Sequence, residues 1–295
     1  MRNSIIIAEI GINYAYGTSK SEFLNNALTL IHQAKLAGAD YVKFQKRDPN
    51  TCVPSSQKAK PKTTPWSGET TYLQYKLDIE FGKEEFDKID SFCDEIEIKW
   101  FASVWDKPSI DFMQRYYSKL PNGKSGVMLK IPSALISDTD LVKYAADNSD
   151  FLLISTGMST QDQIDTAIQV GEPDVVFHSN STYPSPVEDL KLDYITYLDH
   201  CNRSGDYAKR FDIGYSGHEL GLATTFAASA KGCTYIERHF TINSYLWGSD
   251  QLASLTLPEF TQLVTGIREI DSALGGYGPR EILKSEKAKL KTLRK

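Results

Sequence analysis

The fold is decided by residues 5–45, which read IIIAEIGINYAYGTSKSEFLNNALTLIHQAKLAGADYVKFQ. Short apolar runs at 5–10 and 41–45 predict two buried strands. Between them, apolar residues recur at helical spacing after Ser19 and Glu22, a capping-box pair, and Gly38 ends the helical pattern. A strand, a helix and a second strand in succession predict one β/α unit of a parallel sheet.

The same alternation continues along the rest of the chain. Apolar runs predict six further strands at 100–103, 127–131, 151–155, 175–178, 213–216 and 235–239, each followed by a helical pattern. An open doubly wound sheet is the alternative arrangement of such units. Because eight units occur without a Gly-rich dinucleotide fingerprint, we predict a closed (β/α)8 TIM barrel of the α/β class. We assign the barrel to residues 1–283 and a basic C-terminal tail to 284–295.

Residues 46–82 form a long insertion between the second strand and the helix that follows it. The segment contains Pro54, Pro61, Pro65 and several lysines. On a barrel it would lie on the catalytic face, because that face carries the loops after the strands. The composition is typical of a lid or substrate loop, and it is equally typical of a solvated excursion.

Charge and hydropathy exclude some classes of function. The 295 residues carry a net charge of −5, whereas proteins that grip nucleic-acid backbones usually show a basic excess. The apolar run near the start is too short to cross a membrane and lacks a signal-peptide cleavage pattern. The four cysteines are scattered and show no CxxC pair. We therefore expect a cytoplasmic protein whose partners are neither nucleic acid nor membrane.

Each predicted strand ends in a polar residue, and the carboxyl ends of barrel strands are where active sites lie. Lys43 and Gln45 are two positions apart and so point to the same side of their strand, as do Glu237 and His239. The residues at or just beyond the strand ends are Glu9, Lys43, Gln45, Ser103, Lys130, Ser155, His178, Ser181, Tyr183, Ser216, His218, Glu237 and His239.

Two kinds of site follow from these residue types. Lys43 and Lys130 should converge from different strands, and two lysines among serine hydroxyls suit a phosphate and a carboxylate. His218 and His239 end adjacent strands, where two neutral imidazoles can share a metal ion and leave positions open for water and substrate. The alternative interpretations are surface lysines and ordinary polar histidines. His178 suits either a structural or a functional role.

Together these segments make the chain resemble the sialic acid synthase family, which makes N-acetylneuraminate and related nonulosonic acids. The matching stretches occur in order along nearly the whole chain: IIIAEIG (5–11), AGADYVKFQ (37–45), LKIPS (129–133), ISTGMST (154–160), HSNSTYPSP (178–186), IGYSGHELG (213–221) and IERHFT (236–241). The resemblance implies a barrel that condenses phosphoenolpyruvate with an open-chain aminosugar, usually N-acetylmannosamine, and releases phosphate. It also implies a divalent metal, commonly Mn²⁺ or Mg²⁺.

The resemblance also implies roles for individual residues. His218 and His239 would be the metal ligands, and Glu9 the catalytic carboxylate of the first strand. Lys43 and Lys130 would act in catalysis while they hold phosphoenolpyruvate. The remaining phosphoenolpyruvate contacts would be Ser103, Ser133, Ser155, Ser181 and Ser216, and the sugar side would be Gln45, Tyr183 and Asp250. Other acceptors remain open, namely those that lead to legionaminic or pseudaminic acid and a 6-phosphorylated sugar. A non-catalytic relative that binds phosphoenolpyruvate or sugar is the alternative from another class.

The chain departs from the family pattern in two places. Leu135 stands where family members often have an acidic residue, two positions after the serine that follows the fourth strand. Family members usually continue into a small antifreeze-like domain that gives the partner's active site an arginine, whereas this sequence ends at Lys295. We therefore expect a sugar site that is differently built, completed by a separate antifreeze-like protein, or closed by residues 46–82. The resemblance implies a homodimer as well.

Overall fold

A computed structural model describes residues 3–275 and 278–294. Within these residues, eight parallel strands close into a barrel in which each strand pairs with the next and the last pairs with the first. The strands are β1 (Ile5–Gly11), β2 (Tyr41–Lys46), β3 (Lys99–Val104), β4 (Met128–Ile131), β5 (Phe151–Ser155), β6 (Val175–Ser179), β7 (Asp212–Gly217) and β8 (Tyr235–His239). The predicted (β/α)8 barrel is confirmed, with every strand in its predicted place.

The helices that follow the strands form the outer layer of the barrel. They are α1 (Lys20–Ala37), α2 (Lys83–Glu95), α3 (Lys107–Met113), α4 (Thr139–Asp147), α5 (Gln161–Gly171), α6 (Asp193–Ser204), α7 (Ala223–Ala230) and α8 (Leu257–Leu274). Short 3₁₀ turns lie at Ser133–Leu135, Val187–Asp189 and Gln251–Ala253.

The ends of α1 show how local sequence sets these boundaries. The Ser19 hydroxyl accepts a hydrogen bond of 3.2 Å from the Glu22 amide, which satisfies an otherwise orphaned donor of the first turn. The Glu22 carboxylate accepts from the Thr18 amide and not from the Ser19 amide, so only half of the predicted capping box forms. Gly38 ends the helix at φ 92°, a left-handed conformation that glycine adopts without steric cost.

Successive side chains of each strand point alternately to the surrounding helices and to the barrel interior. The inward-facing side chains are apolar at the amino end of the barrel and polar at its carboxyl end. On β2, Val42 and Phe44 face the surrounding helices, while Tyr41 fills the lower part of the barrel interior. Lys43 and Gln45 are therefore the inward-facing residues above Tyr41. The other strands follow the same rule, so that apolar side chains plug the amino end of the barrel and polar side chains line its carboxyl end.

Residues 46–82 are folded and lie at the carboxyl end of the barrel. They form short helices at Pro49–Cys52 and Ser55–Lys58, a hairpin of Pro61–Thr64 with Gly68–Thr71, and a helix at Tyr72–Ile79. Trp66, in the turn of this hairpin, packs against Phe23 and Trp247, with ring centroids 5.1 and 5.2 Å away. These aromatic contacts hold the segment against the barrel.

The remaining elements are small. A hairpin of Ser118–Lys119 with Ser125–Gly126 lies near the amino end of the barrel, where the Lys119 carbonyl accepts a hydrogen bond from the Tyr41 hydroxyl. In the predicted tail, Lys287–Leu293 form a helix, and Lys295 lies outside the described residues. No helix in the described part of the chain has the length and apolar character needed to cross a membrane.

Candidate active site

A cavity of about 440 Å³ opens at the carboxyl ends of the strands. Every site residue predicted from the sequence lines it: Glu9, Lys43, Gln45, Ser103, Lys130, Ser133, Ser155, Ser181, Tyr183, Ser216, His218, His239 and Asp250. These residues come from all eight strands or the loops that follow them, so the barrel brings together side chains that are far apart in sequence. The cavity is also lined by residues outside that set, among them Arg47, Tyr72, Lys76, Trp105, Met158 and Glu237.

The floor of the cavity is a buried group of two lysines and two carboxylates. The Lys130 ammonium donates to Oε1 of Glu237 over 2.8 Å, and the Lys43 ammonium lies 3.3 Å from the same oxygen. Lys43 also lies 3.2 Å from Oε2 of Glu9 and donates to the Ser103 hydroxyl over 2.7 Å. Each lysine lies beside a carboxylate, and this pairing offsets part of the free-energy cost of burying the charges.

The two carboxylates of this floor have opposite protonation behaviour. Burial would raise the pKa of Glu237, but Lys130 and Lys43 outweigh burial and hold this pKa at about 2. Burial raises the pKa of Glu9, and Lys43 lowers it too little to compensate because that lysine is shared with Glu237. Glu237 is thus held as an anion, whereas Glu9 binds a proton more readily than an ordinary carboxylate does. Carboxylates driven apart in this way are typical of acid–base sites.

Burial also affects the two lysines, with different results. For Lys43, the attraction of Glu237 and Glu9 outweighs burial, so its pKa is raised. For Lys130, burial dominates over Glu237, and the pKa is lowered to about 8. An arriving anion would restore the positive charge of Lys130, since a nearby negative charge favours the protonated form.

Serine hydroxyls surround Gly157, directly after β5, at the boundary between this cavity and a neighbouring one. The Ser179 hydroxyl accepts from the Gly157 amide over 3.1 Å and lies 3.1 Å from the Ser133 hydroxyl. A Cβ atom at Gly157 would come within 2.2 Å of the Ser181 hydroxyl, so only glycine leaves room for this cluster. Hydroxyls and an amide gathered around a glycine suit the oxygens of a phosphate. Ser179 was not predicted as a site residue, since the predicted sixth strand ended at His178, whereas the strand continues to Ser179.

The two histidines that end β7 and β8 face each other, with ring centroids 5.4 Å apart. Burial and the neighbouring His239 lower the pKa of His218 to about 3, so this imidazole is neutral and its ring nitrogens can bind a metal. Nδ1 of His218 is hydrogen-bonded to the Asn180 carbonyl, which orients the ring. Nδ1 of His239 is buried without a hydrogen-bond partner.

This pair fits a divalent metal ion with open coordination positions. The orphaned Nδ1 atom of His239 lies 4.0 Å from a carboxylate oxygen of Asp250. Among the described residues, no group of three or more His, Cys, Asp or Glu side chains is arranged to enclose a metal ion. His218 and His239 would therefore supply two ligands, and water or substrate oxygens the others, as in sites that act on a bound substrate.

A buried ion pair beneath the histidines joins the strand ends that carry them. Arg238, next to His239, lies 3.3 Å from Oε1 of Glu219, next to His218, and neither ion-pair side chain is exposed. Glu219 also accepts hydrogen bonds from Tyr215 and Thr225 at 2.9 and 2.7 Å. These contacts fix the separation of β7 and β8 at the point where both imidazoles emerge.

The side of the cavity that the resemblance assigns to the sugar is built from several separate segments. Tyr183 packs against His218 with ring centroids 4.0 Å apart and ring planes tilted by 35°, and Gln45 donates to Glu9 over 3.0 Å. The pKa of Asp250 is lowered because His239 and neighbouring cations outweigh burial. The 46–82 segment adds Arg47, Tyr72 and Lys76 to the cavity wall.

Two residues noted in the sequence lie outside this cavity. His178 lines a neighbouring cavity, where its Nε2 atom lies 2.6 Å from the Leu190 carbonyl, so its role is structural. Leu135 packs against the hydrophobic core and lines a separate surface groove beside Pro108 and Leu141. Its side chain does not line the active-site cavity, where the family's acidic residue would be expected.

Comparison with known proteins places this geometry among the nonulosonic acid synthases. The NeuB family model matches residues 30–278. The chain is 29% identical to the N,N'-diacetyllegionaminic acid synthase of Campylobacter jejuni over 100% of this chain and 84% of that protein. It is 32% identical to the N-acetylneuraminate-9-phosphate synthase of Drosophila melanogaster over 95% of this chain and 71% of that protein. The crystal structure of N-acetylneuraminic acid synthetase from Leptospira borgpetersenii superposes with a TM-score of 0.80 at 28% identity, covering 98% of this chain and 91% of that one.

Proposed function

This chain belongs to the NeuB family, and on that premise we propose that it condenses phosphoenolpyruvate with an open-chain N-acetylated aminosugar of the N-acetylmannosamine type. The products would be an N-acetylneuraminate-type acid and inorganic phosphate. The observation that carries this proposal is the meeting, in one cavity, of the lysine–carboxylate floor, Ser133 and Ser181 of the serine cluster, and the two facing histidines.

The serine side of the cavity would hold phosphoenolpyruvate. The hydroxyls of Ser133, Ser179 and Ser181 offer donors for the phosphate oxygens around Gly157. Lys130 and Ser216 both contact Oε1 of Glu237, so they are held in place to meet a second anionic group, the carboxylate. Rigid placement of one reactant against the other supplies much of the rate of such a reaction.

The proposed reaction forms one carbon–carbon bond and breaks one carbon–oxygen bond. Carbon three of phosphoenolpyruvate attacks the sugar carbonyl carbon, and the carbonyl oxygen takes up a proton. Water adds to the cationic carbon two and loses a proton, and phosphate then leaves with its bridging oxygen and takes up the proton of the new hydroxyl, so that carbon two becomes a ketone. Glu9 is the group suited to give or accept these protons, because burial raises its pKa and Gln45 holds it in place.

His218 and His239 would hold a divalent metal, Mn²⁺ or Mg²⁺, which when bound would polarise the sugar carbonyl as a Lewis acid. The protein's own contribution at this position is to present two imidazoles, of which that of His218 is neutral, and to orient them through Asn180 and the Arg238–Glu219 pair.

The test is phosphate release from phosphoenolpyruvate by the purified chain with N-acetylmannosamine, its 6-phosphate and 2,4-diacetamido sugars, each with Mn²⁺ and with EDTA. We expect release that requires both metal and sugar and that is lost in Glu9→Gln. A wild-type chain that binds phosphoenolpyruvate by calorimetry but releases no phosphate with any of these sugars would be a non-catalytic relative, and the proposal would be wrong.

A further inference from the structure

Lys76 and Arg47 are two buried cations that the reaction described above does not use. We propose that they form a subsite for an oxyanion carried by the acceptor sugar, a phosphate ester or a carboxylate, at the end of the sugar remote from the reacting carbonyl. This inference rests on the proposed function, because it specifies the acceptor of that same site. It predicts that the enzyme prefers a charged acceptor to neutral N-acetylmannosamine.

Lys76 is a buried cation that makes no salt bridge with a carboxylate of the described residues. It lies on the helix Tyr72–Ile79, is 8% exposed and lines the cavity. Its ammonium lies over the rings of Tyr72 and Tyr75, at 5.4 and 4.8 Å from their centroids. Within residues 3–275 and 278–294 it has neither a hydrogen bond nor an ion pair. Burial and the nearby Arg47 lower its pKa to about 7, which a bound anion would reverse.

Arg47 is also buried, and among the described residues it forms no salt bridge with a carboxylate. It is 5% exposed, and its guanidinium lies over the Trp105 ring at 4.3 Å from the centroid. One terminal nitrogen donates to the Gln45 side-chain carbonyl, while Nε is buried without a partner. A guanidinium with unused donors is well suited to two oxygens of a phosphate or carboxylate.

The other buried cations of the described chain all have carboxylate partners. Lys43 and Lys130 contact Glu237 at 3.3 and 2.8 Å. Lys46 contacts Glu80 at 2.5 Å, and Arg238 contacts Glu219 at 3.3 Å. Because an uncompensated buried charge is costly, the two exceptions need an explanation, and both line the same cavity. An anionic ligand would supply the missing negative charge.

Their place in the barrel assigns this anion to the acceptor and not to phosphoenolpyruvate. Arg47 follows β2, whereas Ser181 follows β6, and these two strands lie on opposite sides of the eight-stranded barrel. The serine cluster around Gly157 already provides for a phosphate on the β6 side. Arg47 contacts Gln45, and Asp250 lies close enough to Lys76 to raise its pKa, so the cations belong with the residues assigned to the sugar.

The experiment compares three acceptors at saturating phosphoenolpyruvate and Mn²⁺: N-acetylmannosamine, its 6-phosphate and the corresponding uronic acid. The proteins are the wild type, Lys76→Met, Arg47→Met, the charge-retaining Arg47→Lys, and Lys60→Met. Lys60 is the matched control, because it lies on the same segment but is exposed and absent from the cavity lining.

We expect a wild-type preference for one of the charged acceptors, and the comparison of phosphate with carboxylate identifies which. Lys76→Met and Arg47→Met should raise KM for that acceptor roughly 10- to 100-fold, the usual value of a charge-assisted hydrogen bond. Their KM for phosphoenolpyruvate should stay within about threefold, and the loss of activity should be at least about tenfold smaller with the neutral sugar than with the charged one. Arg47→Lys should recover part of the loss, and Lys60→Met should behave as wild type.

Two outcomes would overturn the subsite. One is an equal loss with neutral and charged acceptors, which would indicate a structural role. The other is a rise in KM for phosphoenolpyruvate, which would assign the cations to that substrate. Calorimetric binding of each sugar without phosphoenolpyruvate and with EDTA tests the subsite even if no turnover occurs. Binding of a charged sugar that Lys76→Met abolishes would support the subsite while the proposed reaction failed.

Discussion

Lys130 donates a hydrogen bond of 2.8 Å to Oε1 of Glu237, a residue 107 positions further along the chain. The same oxygen accepts a hydrogen bond of 3.0 Å from the Ser216 hydroxyl and lies 3.3 Å from the Lys43 ammonium. One carboxylate oxygen thus holds three cavity-lining groups from three strands in place. Glu237 stays ionised because two lysines lie beside it. Glu9, on the other side of Lys43, has a raised pKa and is therefore suited to carry a proton.

Glu237→Gln should both destabilise the protein and abolish turnover. The change leaves Lys43 and Lys130 buried beside each other without the charge that separates them, which should cost about 3 kcal/mol of unfolding free energy. Urea denaturation followed by circular dichroism measures this loss. Asp147→Asn, which breaks an exposed ion pair with Lys143, is the control and should leave stability unchanged. A Glu237→Gln protein as stable as wild type would show that the floor does not depend on this anion.

Gly157→Ala should weaken the binding of phosphoenolpyruvate without unfolding the barrel. The new Cβ atom would approach the Ser181 hydroxyl to 2.2 Å, and a serine side chain can rotate away at the loss of its place in the cluster. We expect KM for phosphoenolpyruvate to rise roughly 10-fold, as for the loss of one good hydrogen bond. Steady-state kinetics with phosphoenolpyruvate varied gives the value. Gly205→Ala tests for a general effect of adding a methyl group, because no atom lies within 4 Å of a Cβ there. Gly205 has φ 90°, so some loss of stability is expected for that variant but no change in KM.

Metal affinity should depend on the facing histidines and not on His178. His239→Ala removes one of the two imidazoles that would bind the metal and should weaken Mn²⁺ binding roughly 100-fold or more. His178→Ala changes a histidine of the neighbouring cavity and should leave the affinity intact. Mn²⁺ titration followed by electron paramagnetic resonance measures the affinity independently of turnover. Equal affinity in the wild type and His239→Ala would place the metal elsewhere or show that none binds.

Lys76→Met should be more stable than the wild type at neutral pH. The pKa of Lys76 falls from 10.5 to about 7 on folding, so the folded chain binds fewer protons at this residue than the unfolded chain between these values. Wild-type stability should therefore rise with pH between about 7 and 10.5 relative to the variant, with the largest deficit below pH 7. At pH 6 the free energy of unfolding of the variant should exceed that of the wild type by at least about 2 kcal/mol, since one pKa unit is worth about 1.4 kcal/mol.

Thermal and urea unfolding of both proteins at pH 6, 8 and 10 check this prediction. A stability difference that does not change with pH would mean that Lys76 keeps its charge in the folded protein. A charged acceptor should narrow the difference by stabilising the wild type, because a ligand that binds the folded state raises its apparent stability.

Most of the barrel could be predicted because each strand carries its own signal. The runs at 5–10 and 151–155 are short and mostly apolar, helical patterns lie between successive runs, and strands with such spacing have few ways to pair. The inward residues at strand ends, such as Lys43 and His239, followed from the two-residue period of a strand. The folded structure of residues 46–82 could not be predicted from local patterns, because it depends on the contact of Trp66 with Phe23 and Trp247, which are far from it in the sequence.

The fold could be predicted from the sequence alone, because hydrophobic periodicity and helix-capping signals are local. The residue types that the strand ends bring into one cavity could be predicted in the same way. The pairing of those residues depends on the tertiary structure: Glu237 holds Lys43 and Lys130, Gly157 makes room for the serines, and Lys76 and Arg47 form no salt bridge within the described part of the chain. Charge balance and close approach depend on distances of a few ångströms between residues remote in the chain. No local pattern encodes such distances, and here closure of the barrel sets them.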